Sequence, residues 1–274
     1  MVGATITLRD VSEQVEFEWK KQQVFEREHR IAQMLQSALV PPMAIVDIEG
    51  CKAALKYEPA LKEAEVGGDF YDVFELSGGR LGIVIGDVAG KGLGAAIYVA
   101  AAKHAIRSYA YLFDDPAEVM KLANEALCRT ELGDQMETSM LTAFFAVVDP
   151  RTGAMTYANA GHEPPVLRHS DGSIEELDGT DIALGILCDR EYTEHSHSLG
   201  SGDTVVMVTD GIIEARSSAT LLFGKDGVVE YLSEHLQVPL SEIPSGLLEA
   251  AREYGGGRLQ DDAAIVAFQC DVER

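Results

Sequence analysis

Between residues 13 and 40 apolar side chains return every seven positions, at Phe17, Val24, Ile31 and Ala38, with Met34 and Leu35 widening the stripe. The stretch is rich in Glu, Gln and Lys and free of Gly and Pro, so it predicts one long helix. Pro41-Pro42 ends it, because a prolyl ring cannot continue the hydrogen-bond ladder and drives the preceding residue out of helical geometry. A stripe of under four heptads suits either a dimerising coiled coil or a helix packed on its own domain.

From about residue 52 the pattern changes to short alternating runs punctuated by glycine, which predicts sheet. Residues 69–76 and 81–88 flank Ser77-Gly78-Gly79-Arg80, a hairpin signature. Residues 93–111 read as a small-residue helix and 116–132 as a second, with Asp115 as N-cap ahead of Pro116. Strands are predicted over 140–148, 155–160, 165–168, 174–177 and 203–209, helices over 226–235 and 241–254, and a last strand over 263–268. This order lacks a regular alternation of strand and helix, so the predicted class is α+β, with helices segregated from antiparallel sheet.

Composition narrows the function. Apolar residues make up 46% and charged residues 24%, which suits a packed core rather than a disordered chain. The 45 acids against 22 bases leave a net charge of -23, so neither nucleic acid nor an anionic membrane finds a basic footprint. The longest small-and-apolar stretch, 92–102, is far short of the roughly 20 residues of a spanning helix. Cys51, Cys128, Cys188 and Cys270 are scattered with no C-x-x-C pair, so no disulfide framework or zinc site is expected, and a reducing cytoplasm fits.

The chemistry is expected where apolar runs meet loops. Asp69 opens one strand, Asp87 closes the next, Asp210 closes the strand VVMVT, and Asp261 and Asp262 open the strand AAIVAF. Singly, each is an ordinary turn former. Together on one rim, they could not all stay ionised without a cation, and carboxylate oxygens select Mg²⁺ or Mn²⁺ over zinc. Such a site suits phosphate-ester hydrolysis, in which two cations activate a water and neutralise the phosphoryl oxygens.

Other motifs carry less. Gly90-Lys91-Gly92 lacks the rest of a P-loop. His195 and His197 share one face of a strand, the usual arrangement of solvated histidines. His162, in Asn159-Ala160-Gly161-His162, fits a structural loop role better than acid catalysis.

Five motifs in order complete the picture: Glu65-Val66-Gly67-Gly68-Asp69-Phe70-Tyr71-Asp72, Gly86-Asp87-Val88-Ala89-Gly90-Lys91-Gly92, Asn159-Ala160-Gly161-His162-Glu163-Pro164, Thr209-Asp210-Gly211-Ile212-Ile213-Glu214-Ala215 and Gln260-Asp261-Asp262. From about residue 41 onward the chain resembles the bacterial PPM (type 2C-like) serine/threonine phosphatases of the SpoIIE/RsbU family. The resemblance implies a four-layer α/β/β/α sandwich of two antiparallel sheets, two Mn²⁺ or Mg²⁺ ions, and a phosphorylated STAS-domain anti-anti-sigma factor as substrate. By position it implies that Asp87 bridges both metals, joined at one by the Val88 carbonyl. Asp210 and Asp261 complete the second metal, Asp69 holds the first directly or through water, and Asp262, the other member of the pair, either joins the metal ligands or orients its neighbour. Ala89 stands where type 2C relatives carry a histidine, which leaves the general acid unassigned.

Residues 3–14 are similar to the last strand of a PAS sensor domain. The implied division is a PAS tail over 1–12, a helical linker and dimer contact over 13–42, and a phosphatase domain over 43–274. The rival reading is a non-catalytic phosphoprotein-binding module, or an enzyme held inactive by its helix. The retention of Asp69, Asp87, Asp210 and Asp261 favours the enzyme.

Overall fold

The structure, a computed structural model, describes residues 12–41, 43–48, 50–59, 67–129, 140–218 and 221–272. In chain order its elements are α1 (Ser12–Leu39), β1 (Met43–Ile48), β2 (Cys51–Glu58), β3 (Asp69–Glu75), β4 (Leu81–Val88), α2 (Leu93–Ala110) and α3 (Pro116–Cys128). Five strands follow: β5 (Leu141–Val148), β6 (Ala154–Ala160), β7 (Val166–Arg168), β8 (Ile174–Glu176) and β9 (His195–Ser198). The chain ends in β10 (Thr204–Val208), α4 (Asp210–Ile213), α5 (Gly224–Glu234), α6 (Ile243–Tyr254) and β11 (Ala263–Cys270). Asp115 caps α3 as expected, its carboxylate accepting from the Ala117 N–H at 2.8 Å.

Two antiparallel sheets result, of six strands in the order β1-β2-β11-β10-β7-β8 and of five in the order β3-β4-β5-β6-β9. Why β10 and β11 read as unbroken apolar runs is clear from their packing. Val205, Met207, Ala264, Val266 and Phe268 face the five-stranded sheet, in one core with Ile83, Ile85 and Phe144. The alternate residues Val206, Val208, Ile265 and Ala267 face away, against Leu232, Leu247 and Leu248 of α5 and α6. A strand buried on both faces has no polar side to show. Helices α2 and α3 cover the outer face of the five-stranded sheet, and α5 and α6 that of the six-stranded one, which completes the four-layer sandwich.

The long helix matches the heptad expectation in extent, and its stripe is open to solvent: Phe17, Val24, Ile31 and Met34 are all exposed. The side chains of Leu35 and Ala38 lie outside the described residues. At its end Val40 is buried, and the Tyr71 hydroxyl of β3 donates to the Pro41 carbonyl. The PAS-like strand expected over residues 3–14 lies outside the described residues up to 11, and residues 12–14 are the first turn of α1. Among the described residues no helix is long and apolar enough to cross a membrane.

The cysteine expectation fails. Cys51 is bonded to Cys270 and Cys128 to Cys188. Spacing along the chain could not reveal this, because the antiparallel register of β2 and β11 sets Cys51 directly opposite Cys270, 219 residues away in sequence.

Candidate metal centre

The site is assembled at one end of the sandwich, where strand ends of both sheets come together. In the β3–β4 hairpin Asp69 lies directly opposite Asp87, and Asp87 in turn lies opposite Thr142 of β5. The approach of the chain to Asp69 depends on Gly68. The Val88 N–H donates to the Gly68 carbonyl at 3.1 Å, and a Cβ on Gly68 would fall 2.1 Å from the Val88 carbonyl oxygen and 2.7 Å from an Asp87 carboxylate oxygen. In the other sheet, β10 and β11 pair antiparallel, so the end of one strand and the start of the other share a rim. That rim carries Asp210, the first residue of α4, beside Asp261 and Asp262. Gly211 packs there so closely that a Cβ would lie 1.7 Å from the Asp262 carbonyl oxygen.

One residue joins the halves. Thr209 is fully buried; its hydroxyl donates to Asp69 Oδ2 at 2.6 Å and accepts from the Ala264 N–H at 2.8 Å. The sequence reading missed it, although a polar residue ending an otherwise apolar strand, immediately before an acid, was the available signal. Thr209→Val keeps the shape, strands the Ala264 N–H and frees the Asp69 carboxylate. Manganese affinity is expected to fall about 10–100-fold, the usual cost of losing a group that orients a ligand. Calorimetric titration checks this, and unchanged affinity would assign Thr209 a purely structural role.

Asp69, Asp87 and Asp210 each offer a carboxylate oxygen within 4.8 Å of the other two, a set that could hold a metal ion. Asp261 is half exposed and pairs with Lys91, its Oδ1 lying 3.0 Å from Nζ. Asp262 is buried, with its carboxylate against Gly67, where a Cβ would fall 1.6 Å from Oδ2. The Val88 carbonyl lies beside Gly68, as described.

The electrostatics follow from burial and crowding. Asp69 is held well above the ordinary carboxylate range, first by burial, then by Asp87, Asp210 and Asp262, with only the Thr209 hydrogen bond opposing. Asp87 is raised by burial and by Asp261 and Asp262, partly offset by a hydrogen bond from Asp69 and by Lys91. Asp210 is pushed up to about 7, by burial first and then by Asp87, Asp261 and Glu214. Such a cluster keeps its charge only with a cation, and a donor set made only of oxygen fits Mg²⁺ or Mn²⁺.

The histidines lie elsewhere in the scheme. Asn159 clasps the His162 backbone, accepting from its N–H at 2.8 Å and donating to its carbonyl at 2.9 Å. The His162 ring contacts the Thr142 hydroxyl at 3.0 Å, and burial pushes its pKa down to about 4, so it stays neutral. His195 stacks on Tyr157, and His197 pairs opposite Met155, at the half of β6 remote from the acids.

Comparison with known proteins agrees with this architecture. Residues 77–271 match the family described as Stage II sporulation protein E (SpoIIE); Asp69 lies just before the matched region. The chain is 28% identical over 252 residues to protein IcfG of Synechocystis sp., covering 82% of this chain but 39% of IcfG. It is 26% identical over 268 residues to the phosphoserine phosphatase RsbU of Bacillus subtilis, covering 97% of this chain and 74% of RsbU. The chain therefore spans less than half the length of one relative and about three-quarters of the other. Among solved structures, the SiaA-PP2C domain of Pseudomonas aeruginosa superposes with a TM-score of 0.70 at 22% identity, over 96% of this chain and all of that one. The sandwich, the acidic rim between its sheets and a match over the larger part of the sequence agree: the chain belongs to the SpoIIE family.

Proposed function

We propose that the chain is a metal-dependent protein serine/threonine phosphatase acting on phosphoserine or phosphothreonine of a regulatory protein. The observation that carries this reading is the convergence of Asp69, Asp87 and Asp210, drawn from both sheets, within ligand distance of one another. The phosphoserine phosphatase RsbU is a relative along almost the whole chain. In the phosphatase domain of residues 43–274, Asp87 and the Val88 carbonyl, with Asp69, would hold one cation, and Asp87, Asp210 and Asp261 a second. Asp262 would orient its neighbour. Two bound Mn²⁺ or Mg²⁺ ions would supply an activated water and neutralise phosphoryl charge.

The chain's own residues supply the placement. Thr209 holds the Asp69 carboxylate, and the β3–β4 register fixes Asp87 against it. Lys91 sits beside Asp261 at the exposed side of the cluster, where an anionic substrate would enter. With p-nitrophenyl phosphate and a phosphoserine peptide, turnover is expected with Mn²⁺ or Mg²⁺ and none with chelator. Turnover that survives chelation would overturn the reading.

The substrate best suited to the family is a phosphorylated STAS-domain protein. The exposed stripe Phe17, Val24, Ile31 and Met34 on α1 supports a homodimer through the 13–42 linker, since four large apolar side chains in line on one helix gain most from a like partner. A chain starting at Pro41 is expected to sediment as a monomer with an altered rate, and the full chain as a dimer. Identical mass and kinetics for the two would remove both the dimer and its regulatory role.

A further inference from the structure

We propose that His162 is a positioning residue for Asp87, acting through the hydroxyl of Thr142; this rests on the reading of Asp87 as a metal ligand. Thr142 of β5 lies directly opposite Asp87 of β4. Side chains at paired positions of antiparallel strands stand on one face with Cβ atoms about 4.5–5.5 Å apart, so the rotamer of one limits the room of the other. Asp87 is thus flanked by Asp69 on one side and Thr142 on the other. Thr209 holds the first neighbour, and His162 holds the second, whose Oγ1 lies 3.0 Å from Nδ1 of the ring. With the hydroxyl donating and Nδ1 accepting, Thr142 is kept in one rotamer, and the wall beside the Asp87 carboxylate is fixed.

Packing alone does not call for a histidine here. Asn159 fixes the backbone of residue 162 by the two hydrogen bonds described, and Gly161 turns the chain at φ 74°, so the loop keeps its path without help from the ring. Gly161 also bridges back to Ala143, the residue after Thr142, which brings the loop against β5. The His162 side chain is buried, and its Nε2 has no partner in hydrogen-bond geometry among the described residues, although the Val208 backbone lies near the ring. An unmatched buried nitrogen destabilises the fold where an apolar side chain of similar size would not. What leucine could not supply is the acceptor at Nδ1. His162 therefore does for Thr142 what Thr209 does for Asp69.

Manganese affinity by calorimetric titration, and the melting temperature of the metal-free protein, are measured for the full chain, His162→Leu, His162→Asn, Thr142→Val and the double variant of His162→Leu with Thr142→Val. His162→Leu is expected to lose about 10-fold in affinity, the low end for a group that orients a ligand, with metal-free melting unchanged or raised. Thr142→Val loses as much, and the double variant loses no more than either, because the two residues act as one unit. His162→Asn, whose amide oxygen takes the place of Nδ1, keeps the affinity of the parent. Losses that multiply in the double variant, unchanged affinity in both single variants, or a leucine variant whose metal-free melting falls along with its affinity would overturn the assignment. Should the leucine variant fail to fold, Thr142→Val and His162→Asn decide it: loss in the first with retention in the second supports the role, and any other result removes it. A parent chain that binds no manganese sinks the metal reading and this role together, whereas a parent that binds and variants that bind equally well sink this role alone.

Discussion

Asp87→Asn is expected to lower kcat/KM for phosphoserine peptide on the order of 10³-fold or more, the scale seen when a group that stabilises transition-state charge is removed. Asp87 sits at the end of a strand paired on both sides, with Asp69 opposite on one and Thr142 on the other, so its carboxylate has little freedom to be replaced by a neighbour. An amide has nearly the same shape but carries no charge and offers a single acceptor. The variant should therefore fold. Its metal-free melting temperature is expected to match or exceed that of the parent, because burial and the charges of Asp261 and Asp262 all work against an ionised Asp87. Loss of activity with an unchanged or raised melting point is the signature of a ligand. Loss of both would mark Asp87 as a scaffold residue.

Gly68→Ala should be nearly as damaging without touching an acid. Its Cβ would overlap the Val88 carbonyl oxygen at 2.1 Å, which is backbone and cannot swing aside, and would crowd the Asp87 carboxylate at 2.7 Å. The β3–β4 hairpin has to open at the point where its two aspartates face each other. Overpacking of this kind costs about 1–3 kcal/mol, or several degrees of melting temperature in a chain of this size. The functional loss should be larger, about 100-fold in metal-dependent turnover, because a shift of about 1 Å is enough to misplace a reacting group. Turnover and Mn²⁺ affinity measured together decide it. Full activity with normal affinity would mean the hairpin yields elsewhere and that Gly68 is not needed for the site.

Much of the fold could be read from pattern. The hairpin of β3 and β4, the Asp115 cap and the buried runs of β10 and β11 each carry a local signal of period, turn chemistry or unbroken hydrophobicity. Pairing between distant strands carries none. That β2 lies beside β11, bringing Cys51 to Cys270, is a property of the closed sheet and not of either segment. The acids at strand ends announced a rim, but whether Asp261 or Asp262 turns inward depends on a bend of the chain just before β11. The structure buries Asp262 against Gly67 and leaves Asp261 half exposed beside Lys91. Thr209 escaped notice because its importance lies in reaching across the sheets to Asp69, a contact spanning 140 residues. The four-residue helix α4 is too short to show any period.

The bond between Cys51 and Cys270 makes most of the chain a covalent ring, and the bond between Cys128 and Cys188 closes a smaller loop inside it. By the chain-entropy account, a ring closed across 219 residues disfavours the unfolded state by about 5 kcal/mol. It also changes what a protease can accomplish. One nick anywhere between residues 52 and 269 releases no fragment while the outer bond holds, and the two cut ends stay tethered to the same sandwich. Under oxidising conditions a clipped molecule would migrate as a single species, and only a thiol reductant would reveal that its backbone had been opened.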